Sequence, residues 1–306
     1  MSIVIIAPTR DSSLWIAPLL EMSEGLSVFD YEEVPDKEAV TCAVVWLHPY
    51  GVLREFPNLK LICSMGAGVD HILNDPHLPN IPITRVVSDR LARSMNTFVA
   101  MGVLNYHRNF YKYQQDQRDR VWDQDTFPEL ETRVGIFGFG YLGQEIGLMI
   151  KKMGFEVYGY SQAGRSAHGI ECFAKDQLDE FLERINVLVG VLPMTKETDG
   201  VFSKSLFKRF KQPVYLINIG RGQQQREADI LEALETGVLS GALLDVFESE
   251  PLDKESPLWE HPKVVLTPHI AGITNPEAAV PQIIANYQAM KTGGELIHVV
   301  DPEKGY

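Results

Sequence analysis

Cysteine is scarce. The 306 residues hold three, Cys42, Cys63 and Cys172, widely spaced and odd in number. They form neither a disulfide framework nor a zinc pattern, and Cys42 and Cys63, in or beside apolar runs, read as small buried residues. Long hydrophobic runs are missing as well. No apolar stretch approaches the length needed to cross a bilayer, so no membrane is expected as a partner. The opening MSIVIIAPTR is strand-like, without a basic leader, and too short for a secretory signal; the expected location is cytoplasmic. Positive charge is in deficit, with 28 basic against 41 acidic residues and a formal net charge of −13. That balance repels phosphodiester backbones and anionic membranes, so nucleic acid is not an expected partner. An anionic substrate must be drawn in by a local basic group. His48, His71, His77, His107, His168, His261 and His298 show no metal-ligand spacing, and no metal is expected.

The chain does have the 45% apolar and 23% charged residues of an average globular protein, at a length that fits two domains. Short runs rich in Val and Ile alternate with helical patterns, which predicts parallel βαβ units and an α/β fold. The strand candidates are Ser2–Ala7, Ala43–Leu47, Lys60–Ser64 and Pro82–Val86, then Arg133–Phe137, Glu156–Tyr160, Asn186–Val191, Val214–Asn218, Gly241–Asp245 and Val264–Leu266. Their near-continuous hydrophobicity suits strands covered on both faces. Between the two sets, Arg93–Arg120 reads as one long helical stretch, followed by a loop, Asp123–Thr132, containing Pro128. A domain boundary near the start of that helix gives residues 95–274 as one domain. A final helix, about Pro276–Thr292, returns to the first, making it discontinuous over 1–94 and 275–306.

Arg133–Phe137 runs directly into Gly138-Phe-Gly140-Tyr141-Leu142-Gly143 and then a helical pattern. In a βαβ unit each glycine has a task. Gly138 permits the tight turn, Gly140 lets the backbone approach a pyrophosphate, and Gly143 lets helix and strand pack closely. Amides at the helix start, around Tyr141 and Leu142, would hold the negative charge. Alone the string is weak evidence, since a structural turn or a methyltransferase-type nucleotide site would share it. Placed between a strand and a helix it predicts a dinucleotide site. An NAD site usually has an acid at the end of the next strand to bind the ribose hydroxyl. Here the strand ends Tyr160-Ser161-Gln162-Ala163-Gly164-Arg165. A 2′-phosphate would meet no carboxylate there, and Ser161, Gln162 and Arg165 could bind it. NADP is the expected cofactor, with NAD the alternative.

Three further segments place a reactive side chain just after a strand: Arg221, Glu250 and His269. The carboxyl ends of parallel strands open onto the ligand crevice. Arg221 offers a planar fork that matches a carboxylate. His269 suits proton transfer near neutral pH. Glu250, if bonded to the imidazole, would orient it and favour its protonated form. Together these fit the reduction of a keto acid.

At this point the chain resembles the D-isomer-specific 2-hydroxyacid dehydrogenases. The match runs nearly continuously from Arg133 to Thr274 through GFGYLG, VLPMTKET, LINIGRG, LLDVFESEPL, SPLW and TPHIAG. It is closest to the glyoxylate/hydroxypyruvate reductase subgroup through VVWLHP, MGAGVD and the terminal Gly-Tyr. The resemblance implies two doubly wound parallel-sheet domains, a flavodoxin-like substrate domain and a Rossmann cofactor domain, dimerising through the latter. It implies Arg221 for substrate binding, His269 for proton transfer and Glu250 as its partner. Leu192, Pro193, Ile219, Gly220, Ala271 and Gly272 would lie along the cofactor, with Asp245 beside the nicotinamide carboxamide. Ala67, Gly68 and Val69 would bind the substrate carboxylate through their amides, and Trp46 would line the pocket, with His48 nearby. The expected activity is NAD(P)H-dependent reduction of a small 2-keto acid, of glyoxylate or hydroxypyruvate type, to the D-2-hydroxy acid. Phosphoglycerate dehydrogenase and a non-catalytic dinucleotide sensor are the alternatives. Two departures from the family pattern stand out: the missing second-strand acid, and Arg93–Thr97 in place of a segment that usually carries one.

Overall fold

The computed structural model describes residues 2–23, 25–125 and 129–305. Pro128 of the expected loop and the terminal Tyr306 lie outside the described residues. In chain order the elements begin β1 (Ser2–Ile6), α1 (Ser13–Glu21), β2 (Ser27–Asp30), β3 (Val40–Val45), β4 (Leu61–Ser64), α2 (Asp70–Leu73), β5 (Ile83–Thr84), α3 (Asp89–His107) and α4 (Phe110–Asp119). They continue β6 (Arg133–Phe137), α5 (Tyr141–Lys152), β7 (Glu156–Tyr160), β8 (Glu171–Phe173), α6 (Leu178–Arg184), β9 (Val187–Gly190) and α7 (Lys204–Phe207). The last are β10 (Val214–Asn218), α8 (Glu227–Glu235), β11 (Leu239–Leu244), β12 (Val264–Leu266) and α9 (Pro276–Thr292). The chain divides into two compact units, Met1–Leu91 with Ile273–Tyr306, and Ala92–Gly272.

The first unit is built on a five-stranded parallel sheet, order β2-β1-β3-β4-β5. Its strands alternate between two cores, because successive side chains leave a strand on opposite faces. Ile3, Ile5, Cys42, Val44, Leu61 and Cys63 pack on one side with α1 and α9 residues such as Leu19 and Ile283. Val4, Ile6, Ala43, Val45 and Ile62 pack on the other. Each fully buried aliphatic side chain contributes about 1.5–3 kcal/mol, which fixes the register. All three cysteines are buried and unpaired. Helix α9 starts where Asn275 accepts the Ala278 amide and Pro276 occupies the first turn, and it stops at Gly293 in the left-handed region.

The second unit carries a seven-stranded parallel sheet, order β12-β11-β10-β9-β6-β7-β8. Counted from β6 this is the doubly wound nucleotide-binding order, with its reversal between β6 and β9. Helix α5 buries Gly143, Ile146, Gly147 and Ile150, one face at helical spacing.

The helical stretch expected over Arg93–Arg120 is two helices. Helix α3 begins at Asp89 and ends at His107, and Asn109 then turns left-handed, φ 52°, before α4. Asparagine tolerates that conformation better than most residues. Strands β2 and β8 had no counterpart among the strand candidates. Both are short edge strands, Ser-Val-Phe-Asp and Glu-Cys-Phe, without the apolar run that marks a central strand. Among the described residues no helix is long and apolar enough to cross a membrane.

Candidate active site

The glycine turn sits at the reversal of the second sheet. Gly138 has φ 117°, and a Cβ there would lie 2.7 Å from the Val191 carbonyl oxygen. At Gly143 a Cβ would collide with the Gly138 carbonyl, so close packing of helix on strand demands glycine. A Cβ at Gly140 would meet nothing within 4 Å. Glycine at that position answers no protein contact and leaves room for a ligand's close approach. Among the described residues no side chain at Gly140 caps α5, and the first amides of a helix have no intrahelical acceptor. A helix start with open space beside Gly140 fits a pyrophosphate.

Beyond β7 no carboxylate follows Tyr160 directly. The Ser161 hydroxyl accepts the Gly164 amide at 3.2 Å and shapes that turn. The Gln162 amide donates to Glu197 Oε2 at 2.7 Å, and Lys175 Nζ reaches the same oxygen at 3.3 Å. Arg165 is exposed. A carboxylate does therefore stand at this edge, supplied by the loop after β9, with a lysine beside it.

On the other side of the reversal, Leu192 and Pro193 follow β9, and their carbonyls both accept from Gln224 Nε2, at 3.0 and 2.9 Å. The same side chain's Oε1 accepts the Arg221 amide at 3.0 Å. Gln224 is fully buried. Its neighbour Gln225, also fully buried, bonds Asn218 Nδ2 at 2.9 Å and donates to the Val246 carbonyl at 2.9 Å. Two successive amide side chains thus brace the Arg221 turn against the ends of β9 and β11. An unsatisfied buried amide would cost about 1–3 kcal/mol. Ile219 is buried, its amide bonded to Gly190, and the Gly220 amide is held by Asn218 Oδ1 at 3.1 Å. Composition and periodicity gave no sign of this brace; a run of three glutamines after Gly-Arg-Gly was the available signal.

Arg221, Glu250 and His269 follow β10, β11 and β12, three strands that are neighbours in the sheet. His269 Nδ1 meets Glu250 Oε2 at 2.8 Å, with each side chain about a third exposed, 35% and 37%. The other Glu250 oxygen accepts the Phe247 amide at 3.1 Å. Burial pushes the Glu250 carboxyl up, but the His269 hydrogen bond, the His269 charge, the Phe247 amide and the Arg221 charge outweigh it. The carboxyl therefore stays below its ordinary value. A pair of this kind leaves Nε2 as the ring nitrogen that exchanges a proton.

Asp245 has a task that sequence reasoning did not foresee. Its Oδ1 accepts Thr267 Oγ1 at 2.6 Å and the Ile270 amide at 2.8 Å, and its Oδ2 accepts the Ala271 amide at 2.8 Å. Its own carbonyl accepts the His269 amide at 2.8 Å. Burial raises its carboxyl above the ordinary value despite these donors. His269 has φ 55°, a conformation costly for a non-glycine residue, and the buried Asp245 holds the turn that imposes it. Gly272 follows, half-buried, at the end of the unit.

In the first unit, Ser64 Oγ donates to the Gly68 carbonyl at 2.9 Å and accepts the Gly66 amide at 3.2 Å, which shapes the loop holding Ala67, Gly68 and Val69. Ala67 and Gly68 are half-buried, while the Val69 side chain belongs to the core. Trp46 packs on this loop: a Cβ at Gly66 would come within 2.9 Å of its ring. His48 is buried and bonded to Asp75 at 3.3 Å. Burial lowers its pKa more than Asp75 raises it, and with its side chain fully buried against Asp75 it is not a group open to substrate.

The second sheet and its edge define a dinucleotide-dependent oxidoreductase with an acid–base pair at the strand ends. Residues 100–271 match the family described as D-isomer specific 2-hydroxyacid dehydrogenase, NAD binding domain. The chain is 36% identical to a glyoxylate/hydroxypyruvate reductase A from Serratia proteamaculans and 33% identical to one from Yersinia enterocolitica, each over the full length of both chains. Among solved structures, a D-isomer specific 2-hydroxyacid dehydrogenase from Xanthobacter autotrophicus in complex with NADPH and MES superposes with a TM-score of 0.95 at 34% identity, covering 100% of this chain and 99% of that one. An NADPH-dependent glyoxylate/hydroxypyruvate reductase from Sinorhizobium meliloti, in complex with NADP and sulfate, gives 0.94 at 37% identity over all of both chains. The chain belongs to the D-isomer specific 2-hydroxyacid dehydrogenase family.

Proposed function

We propose that the protein reduces a small 2-keto acid of glyoxylate or hydroxypyruvate type to the D-2-hydroxy acid, with NADPH preferred over NADH. The observation that carries this reading is the His269–Glu250 pair, with Arg221 close enough for its charge to act on Glu250. When bound, the reduced dinucleotide supplies the hydride to C2. Arg221 holds the carboxylate and the carbonyl oxygen, drawing electron density from C2. His269 delivers its proton to the new alkoxide, and Glu250 holds the ring and stabilises the cation before transfer. Asp245 fixes the His269 turn and has lone-pair capacity left for the carboxamide.

Gly138, Gly140, Gly143 and the amides of Tyr141 and Leu142 would cradle the pyrophosphate. Leu192, Pro193, Ile219, Gly220, Ala271 and Gly272 would line the cofactor's path. The preference for NADPH rests on Ser161 and Gln162 in place of an acid after β7, and on the exposed Arg165. Residues 95–274 form the cofactor domain in this reading, and 1–94 with 275–306 the substrate domain, where Trp46 and the amides of Ala67, Gly68 and Val69 receive the keto acid. A cytoplasmic homodimer belongs to the same proposal. Exposed Phe110, Val121 and Trp122 at and after α4 support the dimer, since Trp122 is 87% exposed.

The test is nucleotide oxidation with a panel of keto acids, each with NADPH and with NADH, on protein whose mass is checked by light scattering. Turnover of glyoxylate or hydroxypyruvate with NADPH is expected. Nucleotide binding without turnover of any acid would make the protein a sensor.

A further inference from the structure

The order β2-β1-β3-β4-β5 reverses between β1 and β3. In open parallel sheets ligands bind outside the carboxyl ends of the strands at such a reversal. Two side chains stand at that position in the first unit, Arg10 from the turn after β1 and Trp46 from the residue after β3. The Arg10 guanidinium carbon lies 4.2 Å from the centroid of the Trp46 ring. Trp46 in turn rests on Gly66, in the loop to which the proposed function assigns the substrate carboxylate.

What marks Arg10 is the lack of a counter-ion. Among the described residues its side chain makes no hydrogen bond and no ion pair. The adjacent carboxylate, Asp11, is turned to Ser13, accepting from its amide at 2.9 Å and its hydroxyl at 2.6 Å. Burial lowers the guanidinium's pKa, with no charged or hydrogen-bonding neighbour to oppose it. A half-buried cation in a chain of net charge −13 finds carboxylates easily, and structures rarely leave one unpaired at a cost in desolvation. The contact with Trp46 orients the group through its face and leaves its planar N–H fork available for a carboxylate or phosphate.

Resting on the proposed function, we propose that Arg10 binds a second anionic group at the far end of the substrate, extending the substrates beyond glyoxylate and hydroxypyruvate to 2-keto acids with a distal carboxylate or phosphate. The backbone loop takes the carboxylate common to all 2-keto acids, and Arg10 reads the rest of the molecule.

The experiment compares the wild-type protein with R10Q and R10K on glyoxylate, hydroxypyruvate, oxaloacetate and 3-phosphohydroxypyruvate. One charge-assisted pair supplies about a ten- to hundredfold preference. In R10Q the ratio of KM for the dianionic acids to KM for glyoxylate should rise by about that factor. R10K, which keeps the charge and loses the fork, should fall between. The better of oxaloacetate and 3-phosphohydroxypyruvate distinguishes a carboxylate from a phosphate. Equal losses on all four acids, or neither dianion being turned over by the wild type, would overturn the inference while leaving keto-acid reduction standing. Should no acid be turned over, the proposed function fails, and malonate binding followed by tryptophan fluorescence decides the anion site. A Kd weakened about tenfold or more in R10Q supports it, and an unchanged Kd overturns it. If R10Q does not fold, R10K is the deciding variant, with a selective loss of about tenfold expected.

Discussion

Beyond β10, β11 and β12 the loops carry Arg221, Asp245, Glu250 and His269, whereas beyond β1, β3 and β4 they carry Arg10, Trp46 and a run of small residues from Ser64 to Val69. Both sets stand at the carboxyl edge of a parallel sheet. In the second unit each of these reactive residues has a hydrogen-bonded support: the Arg221 amide is held by Gln224, the Glu250 carboxylate by the Phe247 amide, the His269 amide by the Asp245 carbonyl and the His269 ring by Glu250. In the first, the cation has only an aromatic face against it, and the loop is shaped by one serine hydroxyl. Groups that move protons and stabilise developing charge must be held before the reaction begins, because reorganisation would consume the gain. Groups that recognise a substrate tolerate more freedom. The contrast is what a division into chemistry and recognition requires.

Three substitutions would break or sharpen that contrast. The largest effect is expected from His269→Gln, which removes the proton donor and keeps the side chain's approximate size. The rate of reduction should fall about a hundred- to ten-thousandfold, with the NADPH Kd from fluorescence titration moving by less than about threefold. Comparable losses in rate and binding would make His269 a structural residue of the turn. Next comes Arg165→Ala. Loss of one charge-assisted phosphate contact should weaken NADPH about ten- to a hundredfold and leave NADH nearly untouched. Equal weakening would place the 2′-phosphate elsewhere, with Lys175 beside Glu197 as the next cation to examine. The smallest effect belongs to the brace. Gln224→Met keeps the length and removes three hydrogen bonds, for an expected drop in kcat/KM of about tenfold. If Gln224 acts by positioning Arg221, its loss should be non-additive with Arg221→Gln in a double-mutant cycle. Additive losses would mean that the brace serves the fold alone.

Among the described residues ten of the twelve strands were legible, the eight inner ones because central parallel strands are buried on both faces and must read as continuous apolar runs. The edge strands β2, β5, β8 and β12 have no such obligation, and the two that were missed, β2 and β8, are among them. The glycine turn was legible for a related reason: close backbone approach excludes every residue with a Cβ, so the constraint is written in the sequence itself. Arg221, Glu250 and His269 could be found because the end of a strand is a position that periodicity reveals.

What remained hidden depends on side chains meeting across strands. Asp245 reads in sequence as one more acid at a strand end, and only the folded loop shows its carboxylate taken up by Thr267, Ile270 and Ala271. Gln224 reads as a polar residue in a loop, yet it is buried with all its bonds made. His48 lay close to a substrate motif in sequence and proved to be a buried partner of Asp75.

The sequence by itself determined the two α/β units, the glycine turn and the placing of Arg221, Glu250 and His269 beyond neighbouring strands, since those follow from local periodicity and from residue types that local geometry requires. Only the tertiary structure decided which of those side chains are braced, which are turned to other duties, and which cation is left without a counter-charge. Hydrogen bonds between distant residues depend on distances of a few ångströms that no local pattern encodes.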